Sequence, residues 1–381
     1  MIGGPPDTDI DETESRVAKW VGDLLADLAV KFTVSPEGEP HGSRVDGRGV
    51  CQTDCLFWPN ERPQFKGDAM TAADTVREAV REVMCGLPVT CQGLTMVPLV
   101  SDRVSDADYL VLDEALERGW VEITESSDAG QVPELKVVNR GDMAVLLLDG
   151  EQLLGAKQNR VLNLTILVPP HHSNTIPVSC VESGRWRHTS PSFGSSPYAL
   201  YAEGRAAKMR QVTSSLRASC ARRSDQQAVW NDMAEKSARL AVASDTAAML
   251  AMYESVDHSL HDFVAAFAPA DRQVGAVFLV NGHLAGLELF DAQSTWRKLS
   301  PKLVRSYALD AIDHQNHPGT PVMSTVGSTL IEAVTSSKSS VFSALGEGED
   351  VRLSGSDITG AALVARGRAI HVSAFSAASA T

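Results

Sequence analysis

The chain has 381 residues, 43% hydrophobic and 22% charged, the balance of a globular protein long enough for one large core or two to three smaller ones. Its formal net charge of -14 excludes a broad electrostatic grip on nucleic acid, because holding phosphates along a strand needs a surplus of Lys and Arg. No run of about 18 apolar residues occurs, so no membrane span is expected, and the acidic opening MIGGPPDTDIDETES is the opposite of a secretion signal.

The six cysteines are too sparse for a disulfide framework, which points to reduced thiols and a cytoplasmic setting. Cys51, Cys55, Cys85 and Cys91 lack the paired C-x2-C knuckles of a zinc site, so no metal is expected, and no motif specifies a cofactor.

In chain order, residues 1 to about 14 carry no apolar period and read as disordered. SRVAKWVGDLLADLAVKFTV then places Val17, Trp20, Val21, Leu24, Leu25 and Leu28 on one helical stripe. An aromatic patch at Trp58, Pro59 and Phe65 precedes TAADTVREAVREVM, a second helix with Thr71 as its N-cap. Residues 1–90 therefore form an accessory region, suited to self-association or a protein partner, ahead of a main domain over 91–381.

From Gly93 the texture turns to β. LTMVPLV is a strand, and YLVLDEALERGWVEITE is a strand, a short helix closing at Gly119 and a second strand. VPELKVVNRGDMAVLLLDGEQLLGAKQNRVLNLTILV continues as strands, with turn signals at Asn139-Arg140-Gly141-Asp142 and Asp149-Gly150. The apolar runs VLLL, VLNLTILV and TIPVSCV each have the length of a buried strand. Residues 197–268 switch to helical spacing, with two to three helices. Asn281-Gly282 marks a hairpin, STWRKLSPKLVRSYALDAI a helix interrupted or kinked at Pro301, and STLIEAVTSS another helix. The last strands turn at Arg366-Gly367. Strands, helices, strands, helix and strands make an α+β fold rather than a regular βαβ alternation.

The motifs LLLDGEQLLGAKQNRVLN, IPVSCVESGRW, SDQQAVW, GAVFLVNGHLAGLELFD and GEDVRLSGSDITGAALV, in that order from about residue 93 to 375, resemble the ARPP family. This is a protein domain associated with ADP-ribosylglycohydrolases and rhodanese-phosphatases. The resemblance implies a bacterial, cytosolic protein linked by domain association to NAD and ADP-ribose metabolism, and it carries no residue roles with it.

The residues themselves concentrate chemistry between Val145 and His188. Lys157, Gln158, Asn159 and Arg160, with Arg185 and Trp186, could hold an anionic group and stack a ring, as a phosphorylated small molecule requires. Glu151 and Glu182 are the candidate acid and base if bond cleavage follows, and Asp149 stands beside them. Gly150-x4-Gly155-Ala156-Lys157 misses a phosphate loop, since Ala156 intervenes before the lysine and Gln158 follows it. Cys180 reads as a core thiol more readily than a nucleophile, because Glu182 two residues on would raise its pKa. His258/His261 and His314/His317 have metal-compatible spacing but no third ligand in sequence, and Glu288, Asp291 and Trp296 lie near the hairpin. Two readings follow: a binder of an ADP-ribose- or nucleotide-like molecule, with or without hydrolysis, or a non-catalytic interaction module.

Overall fold

The structure, a computed structural model, describes residues 70–103, 105–126, 133–315 and 326–377. By internal contacts the chain divides after Pro59, and every described residue belongs to the second unit, 60–381. The expected early helix, the aromatic patch, Cys51, Cys55 and His317 lie outside the described residues.

The fold is α+β, built on a nine-stranded antiparallel sheet. Its strands are β1 (Met84–Cys85), β2 (Val89–Cys91), β3 (Leu94–Val100), β13 (Gln273–Val280), β14 (His283–Phe290), β15 (Lys338–Ser343), β16 (Glu349–Ser354), β17 (Ile358–Ala365) and β18 (Arg368–Ser376). They run β1-β3-β13-β14-β18-β17-β16-β15, with β2 also on β3. The hairpin at Asn281-Gly282 forms as expected, both residues at positive φ, as does the turn at Arg366-Gly367. Alternation sends Ala276 and Phe278 to one face and Val277 and Leu279 to the other, and both faces are covered.

Helices α1 (Ala72–Arg81) and α8 (Val326–Ser336) cover the second face. Helix α1 starts where the sequence places it: the Thr71 hydroxyl accepts from the Asp74 amide at 3.2 Å. Val76 and Val80 are wholly buried against the sheet, so this helix shares its core with residues beyond 91. The first face carries α3 (Ala202–Ser219), α4 (Gln226–Arg239), α5 (Met249–Ser255), α6 (Asp257–Ala266) and α7 (Gln293–Asp313). Four helices thus occupy 197–268, where two to three were expected, because the last stretch divides at Val256. Pro301 sits inside α7 without ending it, and Trp296 packs the helix against Phe290 with ring centroids 6.3 Å apart. No helix among the described residues is long and apolar enough to cross a membrane.

A smaller β body carries the segment of interest. β4 (Tyr109–Val111), α2 (Leu112–Glu117) and β5 (Val121–Glu125) form as expected. They are followed by β6 (Glu134–Asn139), β7 (Ala144–Leu147), β8 (Glu151–Gly155), β9 (Arg160–Leu162), β10 (Ile166–Val168), β11 (His172–Cys180) and β12 (Phe193–Ala199). They make a six-stranded sheet, β12-β8-β9-β11-β6-β5, and a three-stranded one, β10-β7-β4. The turns at 139–142 and 149–150 do not join paired strands but carry the chain from one sheet to the other and back. Both edges of β6 are already taken, by β5 and β11, and the Asn139 side chain donates to Met143 O and Pro169 O to hold the crossing. VLNLTILV, expected as one strand, is likewise cut at 163–165. There Asn163 and Thr165 satisfy other segments: the Asn163 amide donates to Arg222 O, and the Thr165 hydroxyl accepts from the Asp149 amide.

Candidate functional site

The loop between β8 and β9 is shaped by Gly155 at φ +124°, where a Cβ would come within 2.3 Å of the Ser190 hydroxyl. Asn159 closes it. Its side-chain oxygen accepts from the Gly155 amide at 3.2 Å and from Arg185 Nη2 at 3.0 Å, while its own amide donates to Glu182 Oε2 at 3.1 Å. The two motifs KQNR and VESGRW therefore meet, through backbone and side-chain bonds together.

Arg185 braces this meeting point. Nη1 donates to Ala156 O, Arg187 O and Thr189 Oγ1, and Nη2 forms an ion pair of 2.6 Å with Glu182 Oε2. The other carboxylate oxygen of Glu182 accepts from Thr246 Oγ1 at 2.9 Å. Burial alone would raise the Glu182 carboxyl, but Arg185, the Asn159 amide and Thr246 hold it below the usual carboxylate range. Both residues are fully engaged by protein, so their geometry is that of a closed clamp.

Arg160 is different. It is wholly buried on β9; Nη1 donates to Gln158 Oε1 at 2.9 Å, and neither Nε nor Nη2 has a hydrogen-bond partner. No carboxylate among the described residues pairs with it. A buried guanidinium with neither counter-ion nor filled fork is costly to the fold. Above it lies the indole of Trp186, 48% exposed, with Arg160 Cζ 5.7 Å and Lys157 Nζ 5.4 Å from the ring centroid. Lys157, Gln158, Arg160 and Trp186 thus form one cluster, with Asn159, Glu182 and Arg185 as its frame.

Glu151 stands apart from that cluster. It is buried at the start of β8, where it binds Lys302 Nζ at 2.5 Å and accepts from the Leu148 amide. Lys302 in turn reaches Asp113 at 2.9 Å and Ser195 at 2.8 Å. Burial raises the Glu151 carboxyl despite the lysine. Among the described residues Glu151 and Glu182 share no partner.

Cys180 is buried, its Sγ donating to Gln158 Oε1 at 2.9 Å, and burial pushes the thiol up although Arg160 and Trp230 lie beside it. His258 and His261 both sit on α6, where His261 pairs with Asp257. Glu203, Asp313 and His314 come close enough for a metal, but the Lys236 ammonium lies among Glu203, Asp310 and Asp313, 2.6 to 3.2 Å from each.

Sequence reading missed a buried ionic layer that ties α3 to the large sheet through Glu288 and to the turn between β7 and β8 through Asp149. Arg205 binds Glu288 at 2.6 Å, and Lys208 binds Asp149. Gly150 at φ +79° lets Arg205 pass, since a Cβ there would lie 2.8 Å from Arg205 Cδ. The available signal was the pair Arg205/Lys208 in EGRAAKMR, charges three apart on a helix and so on one face, with small or apolar residues around them. Asp291 accepts from the Tyr109 hydroxyl instead of facing the Arg160 cluster.

No curated protein and no solved structure matches the chain. The family model for ARPP-1, the ARG and Rhodanese-Phosphatase-superfamily-associated Protein domain, matches residues 82–375. Most of the chain falls within that match, which takes in strands of all three sheets and both motifs of the cluster, and the protein belongs to the ARPP-1 family.

Proposed function

We propose that this protein binds a phosphorylated small molecule of the ADP-ribose or nucleotide class, with Arg160 as anion receptor and Trp186 as the stacking face. The observation that carries this reading is the buried Arg160 guanidinium, which among the described residues has two N–H nitrogens unmatched and no carboxylate paired with it. A phosphate oxygen pair fits such a fork, and charge-assisted bonds of this kind are roughly twice as strong as neutral ones. Gln158 fixes the fork through Nη1, Lys157 adds positive charge at the indole, and the half-exposed indole offers its ring to a base. Glu182, Asn159 and Arg185 position the loop and do not touch the ligand. The family's association with the ARG superfamily is in keeping with that ligand class.

Titration calorimetry of the full chain with ADP-ribose, NAD, AMP and inorganic phosphate tests this. Saturable binding is expected, abolished by Arg160→Met and weakened by Trp186→Ala for ring-bearing ligands only. No saturable heat with any of the four, or binding indifferent to Arg160→Met, would refute it.

A further inference from the structure

A second centre lies where the run VLNLTILV breaks. Thr165, partly exposed between β9 and β10, places its hydroxyl oxygen 2.8 Å from His371 Nδ1 on β18. On the far side of the ring, His371 Nε2 lies 3.0 Å from Glu288 Oε2 on the neighbouring strand β14. The imidazole is 1% exposed and stacked on Phe290 at 4.6 Å, so its plane is fixed.

The proton positions follow from the partners. Burial would raise the Glu288 carboxyl, but Arg205 and then His371 hold it below the usual carboxylate range, so it is ionised and can only accept. Nε2 must therefore carry the hydrogen. In the neutral ring Nδ1 is then a lone pair, and Thr165 Oγ–H donates to it. Thr165 Oγ also accepts from the Asp149 amide at 3.1 Å, which fixes the hydroxyl rotor. Hydroxyl, imidazole and carboxylate in series are the arrangement that activates an oxygen nucleophile, with a third group orienting the base.

Thr165 and His371 both line a cavity of about 10 Å³, room for one water-sized group, together with Asp149, Asn163 and Arg352. Arg352 is 1% exposed and paired with Asp350 through Nη2, and its Nε has no partner. It is the group in that cavity able to meet a developing negative charge.

We propose that Thr165 is an acyl-accepting nucleophile for small esters of the formyl or acetyl class, with His371 as general base and Glu288 as its positioning residue. Thr165 Oγ attacks the ester carbonyl carbon and forms the Oγ–C bond as its proton passes to His371 Nδ1. The C–O bond to the leaving alcohol then breaks, and that oxygen takes the proton from Nδ1. Water, deprotonated by the same nitrogen, then attacks the acyl carbon; the Oγ–C bond breaks, Thr165 Oγ takes the proton back from Nδ1, and the carboxylic acid leaves. A cavity of this volume admits the carbonyl oxygen alone, so the rest of a small ester lies on the partly exposed side of Thr165. This centre is independent of the Arg160 cluster.

The test is to incubate the full chain with p-nitrophenyl acetate, follow p-nitrophenolate, and map the acetyl group by peptide mass spectrometry. The expected result is acetyl on Thr165, retained in Thr165→Ser and reduced at least tenfold in the isosteric Thr165→Val, whose thermal melt controls for folding. His371→Gln should reduce it similarly while leaving Arg160-dependent ligand binding intact. Acetylation confined to lysines or cysteines, or release unchanged in Thr165→Val, overturns the proposal.

Discussion

Replacing Arg160 by Met separates a group kept for a ligand from one kept for the fold. The guanidinium is wholly buried with Nε and Nη2 unsatisfied. An unsatisfied buried donor costs about 1–3 kcal/mol, and the bond to Gln158 that is lost with it contributes about 1 kcal/mol. Exchange of a buried, poorly paired charge for an apolar side chain of similar volume is often neutral or stabilising by about 1–4 kcal/mol. Arg160→Met is therefore expected to leave stability unchanged or raise it by up to about 3 kcal/mol, while ligand binding disappears. Urea melts read by circular dichroism, at a fixed pH and without ligand, check the first half. A loss of about 3–5 kcal/mol, the signature of breaking a satisfied buried pair, would refute the reasoning, since the arginine would then be serving the fold.

Lys302→Met leaves Glu151 buried without its cation, so a loss of about 3–5 kcal/mol is expected, largely restored when Glu151→Gln is added; melts of the single and double variants check it. Asp310 shares the Lys236 ammonium with two other carboxylates, and burial pushes its carboxyl up to about 7. The folded protein thus keeps a proton that the unfolded chain releases near pH 4. Its contribution is present at low pH and erodes as pH rises through that window, and Asp310→Asn should flatten the stability curve between pH 4 and 7. Gly275→Ala puts a Cβ 2.2 Å from Glu288 O in the adjoining strand, and a drop in melting temperature of several degrees is expected by calorimetry. Trp186 fluorescence should change on binding of a ring-bearing ligand, in a titration where inorganic phosphate serves as the contrast.

Period and turn chemistry made the local elements legible. Thr71 as a cap, Asn281-Gly282 as a hairpin and the helix through Pro301 all rest on interactions within a few residues. Which strands pair was not legible. VLNLTILV has the pattern of one strand, yet Asn163 and Thr165 are polar because they answer Arg222, Asp149 and His371 from distant segments. The same limit applies to the site. The density of polar groups in KQNR and ESGRW drew attention to two segments that do meet, but could not show that Arg185 would be saturated and Arg160 left short, since that depends on Ala156, Thr189 and Glu182 arriving together. Glu151 sits six residues from Lys157 in sequence, but its partner, Lys302, comes from a helix far along the chain.

The large sheet also sets an order of events during synthesis. Leu94–Val100 finds its main neighbour in Gln273–Val280, so a hydrophobic segment made early must wait for roughly half the polypeptide to leave the ribosome. Chains stopped before that point would carry an uncovered edge open to pairing with another molecule, and completing this sheet is therefore a task for the finished chain.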